Sequence, residues 1–307
     1  AHARYWMRKE PYPKPDGSTS ESPLEVKQRR LARRPFPMGV LKEDSRLDAV
    51  QLGALAEQLR SEYAHAEPFP HIVIDNFLPE AVPSQIVDEF PDPQHSFWER
   101  RATKNSLKLS CNDLDDLGPM TRHVLEQLNS RTMLRFLERL TGIDHLIPDA
   151  LFEGGGLHQI LPGGFLKIHA DFNRHPEWQL DRRLNVLLFL NKDWSESYGG
   201  HFELWDRQMT ACSKKILPIF NRLVVFTTTD TSYHGHPDPL RCPPGRTRKS
   251  IATYYYSNGR PKEEITATHS TIYKHRPQHD RAPGRLNRLL RPFLHAFSPL
   301  NGQGTAT

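Results

Sequence analysis

Apolar positions change their spacing along this chain, and the change divides it. From residue 47 to 63, Val50, Leu52, Leu55 and Leu59 recur at helical intervals. Residues 71–77 form a short β-rich run after Pro70. A helical stretch follows Pro79 to about residue 90, and 107–109 predicts a short strand. Residues 119–141 predict one or two helices, with Val124, Leu125, Leu128, Leu134, Phe136, Leu137 and Leu140 as the buried stripe. From about 149 to 273 the texture becomes short apolar or alternating runs separated by Gly, Pro, Asn and Asp. They cover 156–161, 165–172, 183–190, 201–205, 214–219, 222–228, 250–256 and 265–273. About eight short strands with turn signals between them predict a sandwich or barrel, and a double-sheet jelly roll is the common solution at that size.

The two ends carry no such core pattern. Residues 1–45 hold Pro11, Pro13, Pro15, a polar run over 18–22 and the cluster Arg29, Arg30, Arg33 and Arg34, which predicts a disordered basic arm. Near the C-terminus, Leu286, Leu289, Leu290, Phe293, Leu294 and Phe297 make an apolar stripe beside Arg285, Arg288 and Arg291. That predicts a short amphipathic helix in a basic tail, broken near Pro292. The expected organisation is therefore an arm over 1–45, a helical part over 46–148, a β core over 149–275 and a tail over 276–307.

Composition narrows the function. The chain has 307 residues, 37% apolar and 25% charged, and no run of the roughly 18–20 apolar residues that a membrane span needs. The opening Ala-His-Ala-Arg-Tyr-Trp has no apolar h-region, so no secretory leader is expected in it. Cys111, Cys212 and Cys242 are too few and too scattered for a disulfide framework or zinc ribbon, which predicts a reducing, cytoplasmic setting. The net charge of +5 is concentrated near the ends, and no aromatic-and-basic motif accompanies it, so no nucleic-acid partner is expected.

The strongest chemical signal is His169-Ala-Asp171, with His234 far downstream. Side chains two apart on a strand share a face, so one strand can offer both His169 and Asp171 to a metal. A third imidazole from another strand completes a two-His, one-carboxylate triad, which leaves cis positions open and suits Fe(II). His236, two residues beyond His234, competes for the third place. A second signal is Arg248-Lys-Ser250 at the start of an apolar run. Arg248 and Ser250 share a face there, and a guanidinium with a hydroxyl makes a carboxylate receptor. Arg246 and Lys249 are rivals for that role.

Taken in order, five segments resemble the prolyl-4-hydroxylase-like branch of the 2-oxoglutarate/Fe(II) dioxygenases. They are Pro162-Gly-Gly-Phe-Leu-Lys-Ile-His-Ala-Asp171, Arg183-Leu-Asn-Val-Leu-Leu-Phe-Leu-Asn191, Tyr198-Gly-Gly-His-Phe-Glu-Leu-Trp205, Tyr233-His-Gly-His-Pro-Asp-Pro-Leu240 and Arg248-Lys-Ser-Ile-Ala. The lead-in Phe69-Pro-His-Ile-Val-Ile-Asp-Asn-Phe-Leu78 is similar to that branch's entry strand. The resemblance implies an α+β fold with a double-stranded β-helix core, and an enzyme using Fe(II), 2-oxoglutarate and O2, often with ascorbate. It implies His169, Asp171 and His234 as metal ligands and catalytic centre, Tyr233 favouring His234 over His236. It also implies Arg248 and Ser250 as 2-oxoglutarate ligands, and His158 or Gln159 where the branch often has a Tyr. The implied reaction is hydroxylation of a C–H bond in a prolyl or other amino-acid-type substrate, peptide or small molecule. The alternatives are an oxygenase of a small biosynthetic intermediate, and a metal- or sugar-binding jelly roll without turnover.

Overall fold

The computed structural model describes residues 46–276 and 280. The basic arm and the amphipathic C-terminal stripe lie outside the described residues. In chain order the elements are α1 (Ala49–Ala64), β1 (His71–Ile74), α2 (Ala81–Asp88), β2 (Glu99–Ala102), β3 (Ser106–Cys111), α3 (Pro119–Leu128), α4 (Arg131–Thr141), β4 (Ile147–Pro148), β5 (Gly156–Ile160) and β6 (Phe165–Ala170). They continue as β7 (Asp181–Phe189), β8 (Phe202–Trp205), β9 (Cys212–Ile216), β10 (Arg222–Thr227), β11 (His234–His236), β12 (Arg248–Ser257) and β13 (Ile272–Tyr273). The fold is α+β: a curled antiparallel sheet of the jelly-roll, double-stranded β-helix type, flanked by helices.

Local chemistry sets the helix ends. Asp48 caps α1, its Oδ1 accepting from Val50 N at 2.8 Å and Gln51 N at 3.0 Å. The stretch 119–141 is two helices, because Ser130 starts the second by accepting from Met133 N at 3.3 Å. The cap of α3 comes from a distant residue: the Glu89 carboxylate accepts from Met120 N at 3.1 Å and Thr121 N at 3.0 Å. That carboxylate also meets the positive end of the helix dipole.

Strands run hydrogen-bonded in the order β1-β10-β7-β12-β5-β3-β6-β11-β8-β9. Strand alternation gives this sheet two apolar faces. Leu184, Val186 and Leu188 of β7, Leu223 and Val225 of β10, and Ile251 and Tyr255 of β12 pack with the helices, including Phe136, Leu137 and Leu140 of α4. Their neighbours Phe189, Val224 and Phe226 point the other way and meet Phe202 and Leu204 of β8. Fully burying a side chain of that size contributes roughly 1.5–3 kcal/mol. The second face is the barrel interior. β1 and β3, from the segment before residue 149, are hydrogen-bonded into the same sheet.

The predicted strand over 265–273 forms only at its end. Pro261 and the acidic Glu263-Glu264 make a single 3-10 turn, and β13 is two residues long. β2 and β11 emerge as strands that no apolar run announced: Glu99-Arg-Arg-Ala102 is charged, and His234-Gly-His236 is too short to show a period.

Candidate active site

β6 and β11 pair antiparallel with His169 opposite His234. Asp171 follows β6 directly, so three side chains converge on one point at the barrel mouth. One donor atom from each of His169, Asp171 and His234 lies within 4.8 Å of the other two. His169 Nε2 is 3.5 Å from Asp171 Oδ1, and His234 Nε2 is 3.5 Å from Asp171 Oδ2.

The backbone fixes the tautomers. His169 Nδ1 lies 2.8 Å from Lys167 O, and His234 Nδ1 lies 2.8 Å from Ser232 O. A carbonyl oxygen only accepts, so each Nδ1 carries a hydrogen and each Nε2 is the nitrogen turned toward Asp171. Burial lowers the His234 pKa to about 4, so this ring is neutral at pH 7. Burial works to raise the Asp171 carboxyl, but Arg182, His234 and His169 hold it well below the ordinary carboxylate range. Two ring nitrogens therefore face an ionised carboxylate, and a cation between them satisfies all three.

Behind Asp171 stands a buried network. Asn185 Nδ2 donates to Asp171 Oδ2 at 2.7 Å, and Arg182 Nη2 lies 3.2 Å from the same oxygen. Arg182 in turn donates through Nε and Nη2 to Asn185 Oδ1 at 3.0 and 2.7 Å. Its guanidinium is stacked between Tyr254, 3.5 Å from the ring centroid, and Phe172 at 4.4 Å. Partners of this kind orient a metal-binding carboxylate. Sequence reading passed over Arg182; a charged residue beginning a long apolar strand, 1% exposed once folded, was the available signal.

Deeper in the barrel, Arg248 is 4% exposed and no carboxylate among the described residues pairs with it. Its Nε donates to Gly200 O at 2.8 Å, and its guanidinium lies 4.8 Å from the Phe189 ring centroid. Gly200 has φ +71°, and a Cβ there would meet Leu240 Cδ2 at 2.5 Å and Arg248 Cδ at 3.1 Å, so the turn must be glycine for the Arg to lie across it. Burial pulls the Arg248 pKa down to about 9, which still leaves a full charge at pH 7.

Strand register sorts the rivals. Arg248 and Ser250 share the inner face, Ser250 opposite Phe189 of β7 and His158 of β5. Lys249 is on the outer face with Gln159, its Nζ donating to Thr247 Oγ1 at 2.7 Å. Arg246 is spent on the carbonyls of Lys192 and Asp193. Thus His158, not Gln159, shares the face of Arg248. His236 is 4% exposed and not part of the triad, and its Nδ1 has no hydrogen-bond partner among the described residues. Burial depresses its pKa, and Arg248 and Lys108 add to the shift. Trp194 and Trp205 are core residues, 6% and 2% exposed.

Residues 155–256, which span this whole arrangement, match the model of the 2OG-Fe(II) oxygenase superfamily. That segment is a 2OG-Fe(II) oxygenase domain. It is an Fe(II)- and 2-oxoglutarate-dependent oxygenase, with O2 as the oxidant that family chemistry uses. Among solved structures, a prolyl hydroxylase from Trichoplax adhaerens, in complex with a hypoxia-inducible-factor peptide fragment, is 17% identical with a TM-score of 0.51. The match covers 70% of this chain and 96% of that one. A Pseudomonas putida prolyl-4-hydroxylase is 16% identical with a TM-score of 0.46, over 68% of this chain and 100% of that one. The carbocyclase SnoK from nogalamycin biosynthesis is 12% identical with a TM-score of 0.47, over 84% of this chain and 97% of that one. No curated protein matches the chain. The Trichoplax likeness shows the oxygenase fold. No helix among the described residues is long and apolar enough to cross a membrane.

Proposed function

We propose that this oxygenase is a hydroxylase whose Fe(II) is held by His169, Asp171 and His234, with Arg248 and Ser250 holding the distal carboxylate of 2-oxoglutarate. The observation that carries the reading is a ligand triad at one end of the barrel and a buried guanidinium at the other. At the mouth, one donor atom from each of His169, Asp171 and His234 converges within 4.8 Å of the other two. At the far end the buried Arg248 guanidinium has no acid beside it among the described residues. A divalent cation and a dicarboxylate fit those two ends.

When bound, iron and 2-oxoglutarate supply O2-dependent decarboxylation coupled to C–H oxidation. The chain's own residues do the rest. Lys167 O and Ser232 O hold the two imidazoles in the ligating tautomer. Asn185 and Arg182 keep the Asp171 carboxylate ionised and aimed. The rings of Phe226 and Phe202, with centroids 4.7 and 5.5 Å from that of His234, shield that ligand from water. Arg248 binds a carboxylate in a fork and fixes which end of the co-substrate points at the mouth.

The substrate class we propose is a prolyl or other amino-acid-type C–H donor, a choice that rests on the resemblance of the motif series. An ascorbate requirement belongs to the same proposal. The cytoplasmic setting belongs to the same proposal and rests on the cysteines being few and scattered along the sequence, at 111, 212 and 242. The test is succinate release by the iron-loaded protein with 2-oxoglutarate, read beside a search for a product 16 Da heavier than its substrate. His169→Ala and Asp171→Ala should each release no succinate and retain no iron while staying folded. Full activity in either variant would refute the ligand assignment.

A further inference from the structure

Lys108 lies in β3 within the alternating run Ser106-Leu-Lys-Leu-Ser110. Ser110 pairs with His158, and His158 pairs with Ser250. Lys108, two residues from Ser110, therefore lies on the inner face that carries Arg248. Its Nζ is 3.5 Å from His158 Nε2. That nitrogen is committed to Gly154 O at 3.0 Å as a donor, so it offers the ammonium no lone pair. No carboxylate among the described residues is within ion-pair distance of Lys108. Burial, followed by the repulsion of Arg101, lowers its pKa to about 8, which leaves it mostly charged at pH 7.

A half-buried ammonium without an anion is costly, and proteins keep one chiefly where a ligand completes it. The charge of the co-substrate is not enough to balance the cavity. Asp171 and Arg182 offset each other at −1 and +1. Fe(II) and the 2-oxoglutarate dianion offset each other at +2 and −2. Arg248 and Lys108 then leave two positive charges in the barrel. Lys108 feels the charge of Asp171, and it acts together with Arg248 on His158 and His236, so it lies between the two ends of the cavity. Tyr273 is at the metal end, its ring centroid 5.6 Å from that of His169. Arg101 and Glu99 also act on Lys108, in opposite directions, and pair with each other at 3.6 Å, so they largely offset there.

We propose that Lys108 receives an anionic group of the primary substrate, so that the substrate is a small molecule with a free carboxylate, such as a free amino acid, and not an internal residue of a peptide. This rests on the oxygenase reading above and narrows its substrate class.

The test uses the full chain loaded anaerobically with Fe(II). The charge-transfer absorption between iron and the bound keto acid reports 2-oxoglutarate, and its perturbation reports a molecule arriving beside it. The probes are L-proline, L-leucine and L-glutamate, each against its own carboxamide, on wild type, Lys108→Met and Lys108→Arg. At least one acid should perturb the band and, with O2, speed succinate release. Its amide should bind about tenfold more weakly or worse. Lys108→Met should weaken binding of the acid by a similar factor, and Lys108→Arg should restore most of it. The 2-oxoglutarate titration should stay within about twofold in both variants. The proposal is overturned if amides bind as well as acids, or if Lys108→Met leaves acid binding unchanged. It is also overturned if no acid perturbs the band at about 10 mM, or if Lys108→Met weakens 2-oxoglutarate itself about tenfold, which would give the lysine to the co-substrate. A wild-type protein that forms no band with 2-oxoglutarate would instead sink the oxygenase reading beneath it.

Discussion

At the scale of the residue, charges that lack partners organise this site. Arg248 is the clearest, a buried guanidinium that meets Gly200 O and an aromatic face and pairs with no carboxylate among the described residues. Truncating one side of a buried charge pair costs roughly 2–5 kcal/mol. Arg248→Ala should therefore raise the dissociation constant for 2-oxoglutarate by about one to three orders of magnitude. Arg246→Ala and Lys249→Ala, whose side chains are spent elsewhere, should change it little. An unaltered titration in Arg248→Ala would move the role. Asn185→Ala removes the 2.7 Å hydrogen bond that aims Asp171, and losing such a partner typically costs about 10–100-fold in metal affinity. Equilibrium dialysis of iron against the variant reads this, and wild-type affinity would show that Arg182 alone suffices. At the distal histidine, His234→Ala should abolish turnover and His236→Ala only weaken it; the reverse pattern would make His236 the ligand. The triad and Arg248 could be read in the sequence because strand parity and motif order both mark them. Lys108 could not, since Ser106-Leu-Lys-Leu-Ser110 alternates as a strand with a solvent face would. Only its register against His158 shows that its polar face is the interior.

Elements carry that register, and one of them turns on a single glycine. β11 pairs His234 with His169 but His236 with Leu166, so the ladder slips by one residue at Gly235. A Cβ on Gly235 would lie 2.8 Å from Leu166 O and 2.9 Å from Lys167 O, both backbone atoms that cannot swing aside. Gly235→Ala should push β11 from β6, separating His234 from His169. We expect iron affinity to fall at least tenfold while far-UV circular dichroism stays close to wild type. Wild-type iron binding in a folded Gly235→Ala protein would show that the bulge does not position the ligands. The long strands β7, β10 and β12 were legible because their apolar runs are unbroken. β11 and β2 were not, because three residues cannot display a period and Glu99-Arg-Arg-Ala102 has no buried side chain to announce it. The helical pair α3 and α4 was legible as a stripe, and Ser130 decides where it breaks.

Across the whole molecule, burying neutral imidazoles has a cost at low pH. Burial sets the pKa of His234 to about 4 and that of His158 and His236 well below the ordinary histidine value. Between those values and the unfolded pKa of about 6.5, the unfolded chain binds more protons. The metal-free protein should keep its full stability above about pH 6.5 and lose it as the pH falls toward 4. Each such group contributes at most about 1.4 kcal/mol per pH unit, so urea unfolding should show a loss of a few kcal/mol between pH 7 and pH 5. A flat profile would mean these rings are not buried neutral. Residues 1–45, outside the described structure, contain no apolar period and so cannot repay an ordering cost of roughly 1–2 kcal/mol per residue. A chain beginning at Asp44 should fold and release succinate as the full chain does; failure to do either would make the arm part of the domain.

The central claim is that one barrel holds Fe(II) on His169, Asp171 and His234 and 2-oxoglutarate on Arg248. Anaerobic titration of 2-oxoglutarate into the Fe(II)-loaded protein tests both ends at once, through the charge-transfer band that appears only when the keto acid chelates the metal. Wild type should develop the band and saturate, Asp171→Ala should develop none, and Arg248→Ala should reach the same band only at concentrations about ten to a thousand times higher. A band of undiminished strength and affinity in Asp171→Ala or Arg248→Ala, or none in wild type, would contradict the account.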